Sequence, residues 1–140
     1  MKINKLISFI GVWKTSGEIY ENPFGAKGVL KGIDSYRFGN GHDFIVHSVN
    51  VKMAGKKIKN CEVISYDSKK NAFAMYAFEN GSVAGIQYGK LKGKVWSVSS
   101  SKVRFRGRFN KGNSRLSGLW EFKNKNRVWK PWIKIELNKN

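Results

Sequence analysis

A chain of 140 residues, 41% hydrophobic and 14% aromatic, is long enough to bury a core without staples and too apolar to be a disordered tail. Its single Cys61 excludes an intramolecular disulfide, and one cysteine with two histidines excludes a tetrahedral structural zinc site. The formal charge of +18 suits polyanions such as nucleic acid or an anionic membrane surface, and no apolar run approaches the ~18 residues that span a bilayer.

The chain opens on a basic stretch and a short apolar run, Met1 to Trp13. The run is broken by Ser8 and Gly11, and no small-residue cleavage site follows it. Within it Ile3, Leu6, Ile7 and Ile10 fall at helical spacing, which predicts a short amphipathic helix. Beyond residue 10 the pattern alternates with a period of two. Turn residues punctuate it at Asn22-Pro23-Phe24-Gly25, Gly39-Asn40-Gly41, Asn80-Gly81, Lys111-Gly112-Asn113 and Asn124-Lys125-Asn126. The predicted strands are 11–20, 28–38, 43–54, 57–66, 71–79, 83–89, 93–100, 102–109, 115–123 and 127–137.

Alternation also assigns faces. Trp13, Thr15, Gly17 and Ile19 share a side of the first strand, and Ile45, His47, Val49, Val51 and Met53 share a side of the third. Val103, Phe105, Gly107 and Phe109 alternate with Lys102, Arg104, Arg106 and Arg108, so the apolar set faces in and the cations face out. In the last strand Trp129, Ile133, Ile135 and Leu137 are expected inside. Short strands, each with one wettable face and no helical crossovers between them, predict an all-β fold. The expected form is an up-and-down antiparallel barrel of about ten strands with a short N-terminal helix, one domain over 1–140.

Gly11-x-Trp13 at the head of the first strand, after a short helix and before an up-and-down series, resembles the calycin superfamily. In lipocalins such a Gly-x-Trp seals the closed end of the barrel, which implies that Gly11 and Trp13 form the barrel floor here. The chain is more closely similar to a bacterial family of lipocalin-like domains with no settled activity. The segments that carry this likeness are Gly39-Asn40-Gly41-His42-Asp43-Phe44, Tyr66-Asp67 and Trp129-Lys130-Pro131. Nitrobindin-type haem barrels are also similar in their Gly-x-Trp entry. Their iron is held by a His near the C-terminal end, where this chain has Trp129-Lys130-Pro131-Trp132 and no His after His47. Haem binding of that kind is not expected, and no cofactor is.

Motifs of catalysis are sparse. Gly112-Asn113-Ser114-Arg115-Leu116 fails as a nucleophile elbow at its last position, and Gly89 to Val95 is one residue short of a P-loop and lies between strands. His42 and His47, five apart, point to opposite faces of a strand and make no metal pair. His47 stands among inward apolar residues, either to hydrogen-bond a ligand or as a core histidine satisfied by a Tyr or a carbonyl. Asp34 and Glu62 also alternate with inward residues, and a pair of inward carboxylates suits general acid–base work. Cys61 reads as a passive small residue.

The first expectation is therefore a binding barrel for a small hydrophobic ligand, with His47, Tyr76, Tyr88, Phe105 and Trp120 lining the lumen. Small residues Gly17, Gly32, Ala74, Ala84, Gly107 and Gly118 are expected to leave it room. The alternative is polyanion binding, to nucleic acid or an anionic membrane, through Lys90, Lys92, Lys94, Arg104, Arg106 and Arg108. Residues 90–140 hold 15 basic against 2 acidic side chains, although lysine with 13 asparagines also reads as compositional bias on solvated faces. A barrel enzyme such as an isomerase or cyclase is a third reading, argued from fold alone. The lone cysteine suits a cytoplasmic setting, and the apolar start leaves secretion open.

Overall fold

The computed structural model describes residues 2–79 and 82–140, so the turn expected at Asn80-Gly81 lies outside the described residues. A 3₁₀ helix, Lys2–Phe9, precedes ten strands. These are β1 (Gly11–Ile19), β2 (Gly28–Phe38), β3 (Ile45–Met53), β4 (Lys56–Asp67), β5 (Ala72–Glu79), β6 (Ser82–Lys92), β7 (Val95–Ser99), β8 (Val103–Phe109), β9 (Arg115–Lys123) and β10 (Trp129–Lys139). Each strand pairs antiparallel with its sequence neighbours, and β1 pairs with β10, which closes the barrel. Closure leaves no sheet edge, so alternation alone decides what is inside.

The helix differs from the sequence expectation in its period. Ile3, Leu6 and Phe9 are buried, three apart, while Ile7 is exposed. A 3₁₀ helix has three residues per turn and eclipses i with i+3, so this stripe replaces the four-residue one. The stripe stops one end of the barrel. The Phe9 ring lies 5.0–5.1 Å from those of Tyr36, Trp96 and Phe109, in tilted and edge-on contacts.

Trp13 completes this floor. It is fully buried, and its indole Nε1 donates to the Phe9 carbonyl at 2.7 Å. Lys139 on β10 lies 4.8 Å over the Trp13 ring and donates to the Ser8 carbonyl at 3.0 Å. Burial lowers the Lys139 pKa from its ordinary value. Gly11 sits at φ +136°, a conformation that side chains disfavour, so it makes the turn from helix into barrel.

At the other end Ile19, Leu30, Val51 and Ile133 form a second apolar cluster, with Trp120 and Trp132 against it. Phe24, in the β1–β2 loop, folds over this mouth with its ring 4.8 Å from that of Trp132. Asn22 Oδ1 holds the loop by accepting from the amides of Phe24 and Gly25.

Two expectations about faces are corrected. Trp129 lies outside, because the β9–β10 register shifts between Pro131 and Ile133 and one extra residue reverses the alternation. Its ring instead carries Arg104 at 4.3 Å and Lys123 at 5.0 Å. The small residues do not open the lumen. Phe105 fills the space over Gly107 and Gly118, where an added Cβ would stand 2.7 and 2.4 Å from its Cζ. Gly17 and Gly32 instead let neighbouring backbone approach, their hypothetical Cβ atoms lying 2.6 Å from the Lys134 carbonyl and 2.4 Å from that of Asn50. Ala74 is buried beside outward-facing neighbours, and Ala84 is exposed.

Replacing Trp13 by Ala removes the floor plug together with its hydrogen bond. The expected loss is about 3–5 kcal/mol of unfolding free energy in urea titrations, the range for large aromatic truncations. A loss below about 1 kcal/mol, typical of surface changes, would contradict this assignment.

Candidate functional site

Between floor and mouth, the inner face of β1–β4 is polar. Thr15 on β1, Asp34 on β2, His47 on β3 and Glu62 on β4 join in one chain of hydrogen bonds. Thr15 Oγ1 donates to Asp34 Oδ1. His47 donates from Nε2 to Asp34 Oδ2 at 2.6 Å and from Nδ1 to Glu62 Oε1 at 2.8 Å. Ionised carboxylates only accept, so a ring held between two of them must carry a proton on each nitrogen. The geometry thus calls for an imidazolium.

Register explains the meeting. Ala54 and Gly55 form a two-residue turn, both at positive φ, which pairs Met53 with Lys56. Six residues back along each strand, His47 stands opposite Glu62. Asp34 pairs with Val49 and so reaches His47 diagonally, while Tyr36 is directly opposite His47. The Tyr36 ring stacks on the imidazole, with centroids 4.0 Å apart and planes 9° from parallel. A face-to-face stack of this kind suits a cationic ring on an electron-rich one.

Burial alone pushes the His47 pKa down. The hydrogen bonds to Asp34 and Glu62, with their charges, outweigh it and raise the value from an ordinary 6.5 to about 9. Tyr36 moves well above its ordinary value, first by burial and then by the charges of Asp34 and Glu62, so its phenol stays neutral. The His47, Asp34 and Glu62 side chains remain 12%, 9% and 16% exposed, so water reaches the group.

This polar wall borders a cavity of about 120 Å³. The opposite wall is apolar, with Met75, Trp96, Val98, Phe105, Trp120 and Ile135, and Gln87 adds one amide. Three of the expected lumen residues, His47, Phe105 and Trp120, therefore line the same cavity. Tyr76 and Tyr88 do not. Phe73 and Met75 face in, so Tyr76 falls on the other side of β5. Tyr88 pairs with Ala74 on that outer side, and Lys70 lies 5.3 Å over its ring. Residues Asp34, Tyr36 and Glu62 join the site in their place. Among the described residues, no group of three His, Cys, Asp or Glu is arranged to hold a metal ion.

The basic outer residues are partly brought together. Lys90, Ser97 and Arg106 form one cross-strand row, and Lys92, Val95 and Arg108 the next. Two of the six expected residues have other engagements. Lys94 donates to Asn113 Oδ1 at 2.6 Å, and Arg104 pairs with Glu121 at 2.8 Å as well as covering Trp129. A third row, unforeseen from the sequence, joins Lys31, Lys52 and Lys57 across β2, β3 and β4.

A raised folded-state pKa stabilises the fold fully below the unfolded value and less as pH rises through the folded one. Stability is therefore expected to fall by about 3 kcal/mol between about pH 6.5 and 9.5, and His47→Gln should flatten that slope. The measurement is urea unfolding across pH, beside the ¹⁵N imidazole titration of His47. A titration midpoint near 6.5 would contradict the double carboxylate clamp.

No family model matches the chain, and no curated protein matches it. Among solved structures it is similar to the crystal structure of Rv2717c from M. tuberculosis, with a TM-score of 0.68. The two are 10% identical, over 100% of this chain and 98% of that one. At that identity the likeness is one of fold, a closed antiparallel barrel, and no helix among the described residues is long and apolar enough to cross a membrane.

Proposed function

We propose that this is a lipocalin-like barrel that binds a small ligand in its lumen, against Asp34, His47 and Glu62 on one side and Phe105 and Trp120 on the other. The observation that carries the reading is the cavity of about 120 Å³ with a polar cluster on one wall and aromatic rings on the opposite one. Its size narrows the expectation of an apolar ligand. A cavity of ~150 Å³ holds benzene, so the guest is a compact molecule of about that size rather than a long lipid chain. A cytoplasmic setting belongs to the same proposal and rests on the lone thiol of Cys61.

Trp96 and Trp120 line the cavity, so occupancy should alter intrinsic fluorescence. Small ring compounds are expected to give a saturable, one-to-one change in the native protein. Ile135→Phe, which fills the space from a half-buried position, should abolish it while the barrel stays folded by circular dichroism. Absence of saturable binding by any such compound would overturn the reading.

Polyanion binding remains a second reading, favoured by the two cationic rows of β6–β8. Like charges directly across strands weaken a sheet, as in the Lys31, Lys52 and Lys57 row, and a polyphosphate would offset that cost. Affinity for a short oligonucleotide should then fall steeply with salt and drop again in the Arg106→Glu, Arg108→Glu double variant. Salt-independent binding would refute it.

A further inference from the structure

Among the residues lining the cavity, the charged side chains are Asp34, His47 and Glu62. With both carboxylates ionised and the imidazole protonated, the group carries one net negative charge. The surface of the chain has the opposite sign, at +18 overall. An uncompensated charge inside a barrel is costly, and a guest that supplied the missing positive charge would lower that cost.

The hydrogen bonds show where such a charge would sit. Asp34 has both oxygens engaged, Oδ1 by Thr15 and Oδ2 by His47, while Glu62 gives only Oε1 to His47. Among the described residues, Glu62 Oε2 accepts from no protein donor, and Glu62 is the most exposed of the three. A donor entering the cavity therefore finds its acceptor at Glu62. On the opposite wall, Trp96, Phe105 and Trp120 present the aromatic surface that attracts an organic cation. An anionic guest would meet the negative wall, and a neutral hydrocarbon would displace water from Glu62 without replacing its hydrogen bond.

Resting on the reading of the lumen as a ligand site, we infer that its ligand is a small organic amine, bound as the ammonium ion. The N–H groups donate to Glu62, and the carbon skeleton lies against Phe105 and Trp120. The cavity admits a monocyclic or short-chain amine and excludes polyamines of extended length.

Piperidinium and tetrahydropyran are ring compounds of matched shape, one cationic and one neutral, and serve as probes in calorimetric titrations near neutral pH. Piperidinium is expected to bind at least about tenfold more tightly than tetrahydropyran, since a desolvated cation–aromatic contact and a charged hydrogen bond together exceed the ~1.4 kcal/mol this requires. In Glu62→Gln, piperidinium should fall to the level of tetrahydropyran. Near-ultraviolet circular dichroism of the variant, which reads Trp96 and Trp120, reports that the aromatic wall is intact. Equal or tighter binding of tetrahydropyran by the native protein would overturn the amine inference and leave the lumen reading standing. A piperidinium preference that survives Glu62→Gln would also overturn it. Failure of both probes to bind would remove the lumen reading and the inference with it.

Discussion

A small closed barrel must find room inside for every second side chain of all ten strands, and it has no edge onto which a misfit can be displaced. That constraint shapes the rest of this molecule. Most inward positions meet it with branched or aromatic side chains. Four adjacent strands meet it with Thr15, Asp34, His47 and Glu62, and charges inside a barrel are tolerated only when they answer one another. The imidazolium balances one of the two carboxylates and gives a hydrogen bond to each. The His47 stack on Tyr36 and the Thr15 hydroxyl bond fix its orientation.

The two barrel ends divide the work. The 3₁₀ helix, Trp13 and Lys139 seal one end by burial, an indole hydrogen bond and an ammonium held against a ring. The other end is covered more lightly, by Phe24 on a loop pinned through Asn22. A rigid floor with a lighter mouth leaves the polar wall of the middle layer partly hydrated, and a binding reading needs that access. The outer surface is a separate electrostatic system. Its lysines and arginines stand on the opposite faces of the same strands, so surface and lumen differ in sign within the width of one sheet.

Much of this could be read along the chain, and the failures have physical causes. Val103 to Phe109 alternates cleanly between apolar and cationic residues, so its faces were unambiguous. Ala72 to Glu79, with Phe73, Met75, Tyr76 and Phe78, is apolar at both parities. Alternation there cannot choose a side, and the inward expectation for Tyr76 has no support from it. In β6 Tyr88 shares its parity with Ile86, while the polar Gln87 takes the inner one, so hydropathy there points to the wrong side. Trp129 is turned outward by a one-residue bulge, which leaves no mark on composition. The polar group is half legible: alternation points His47, Asp34 and Glu62 inward, but their meeting depends on register. The Ala54-Gly55 turn carried that information for His47 and Glu62. The β2–β3 connection runs through an irregular 3₁₀ turn at Asn40–His42 and carried none for Asp34.

The ring of Phe105 lies over two glycines, Gly107 on its own strand and Gly118 on the next, and forms part of the cavity wall. The bore of this barrel is therefore set by how deeply one aromatic ring can sink into its own sheet. A methyl group at Gly118 would meet the Arg106 carbonyl at 2.6 Å as well as the ring, so the two glycines let the β8 and β9 backbones and the ring close up together. The width of the lumen at this level is in that sense written in two residues without side chains, which composition alone reads as empty space.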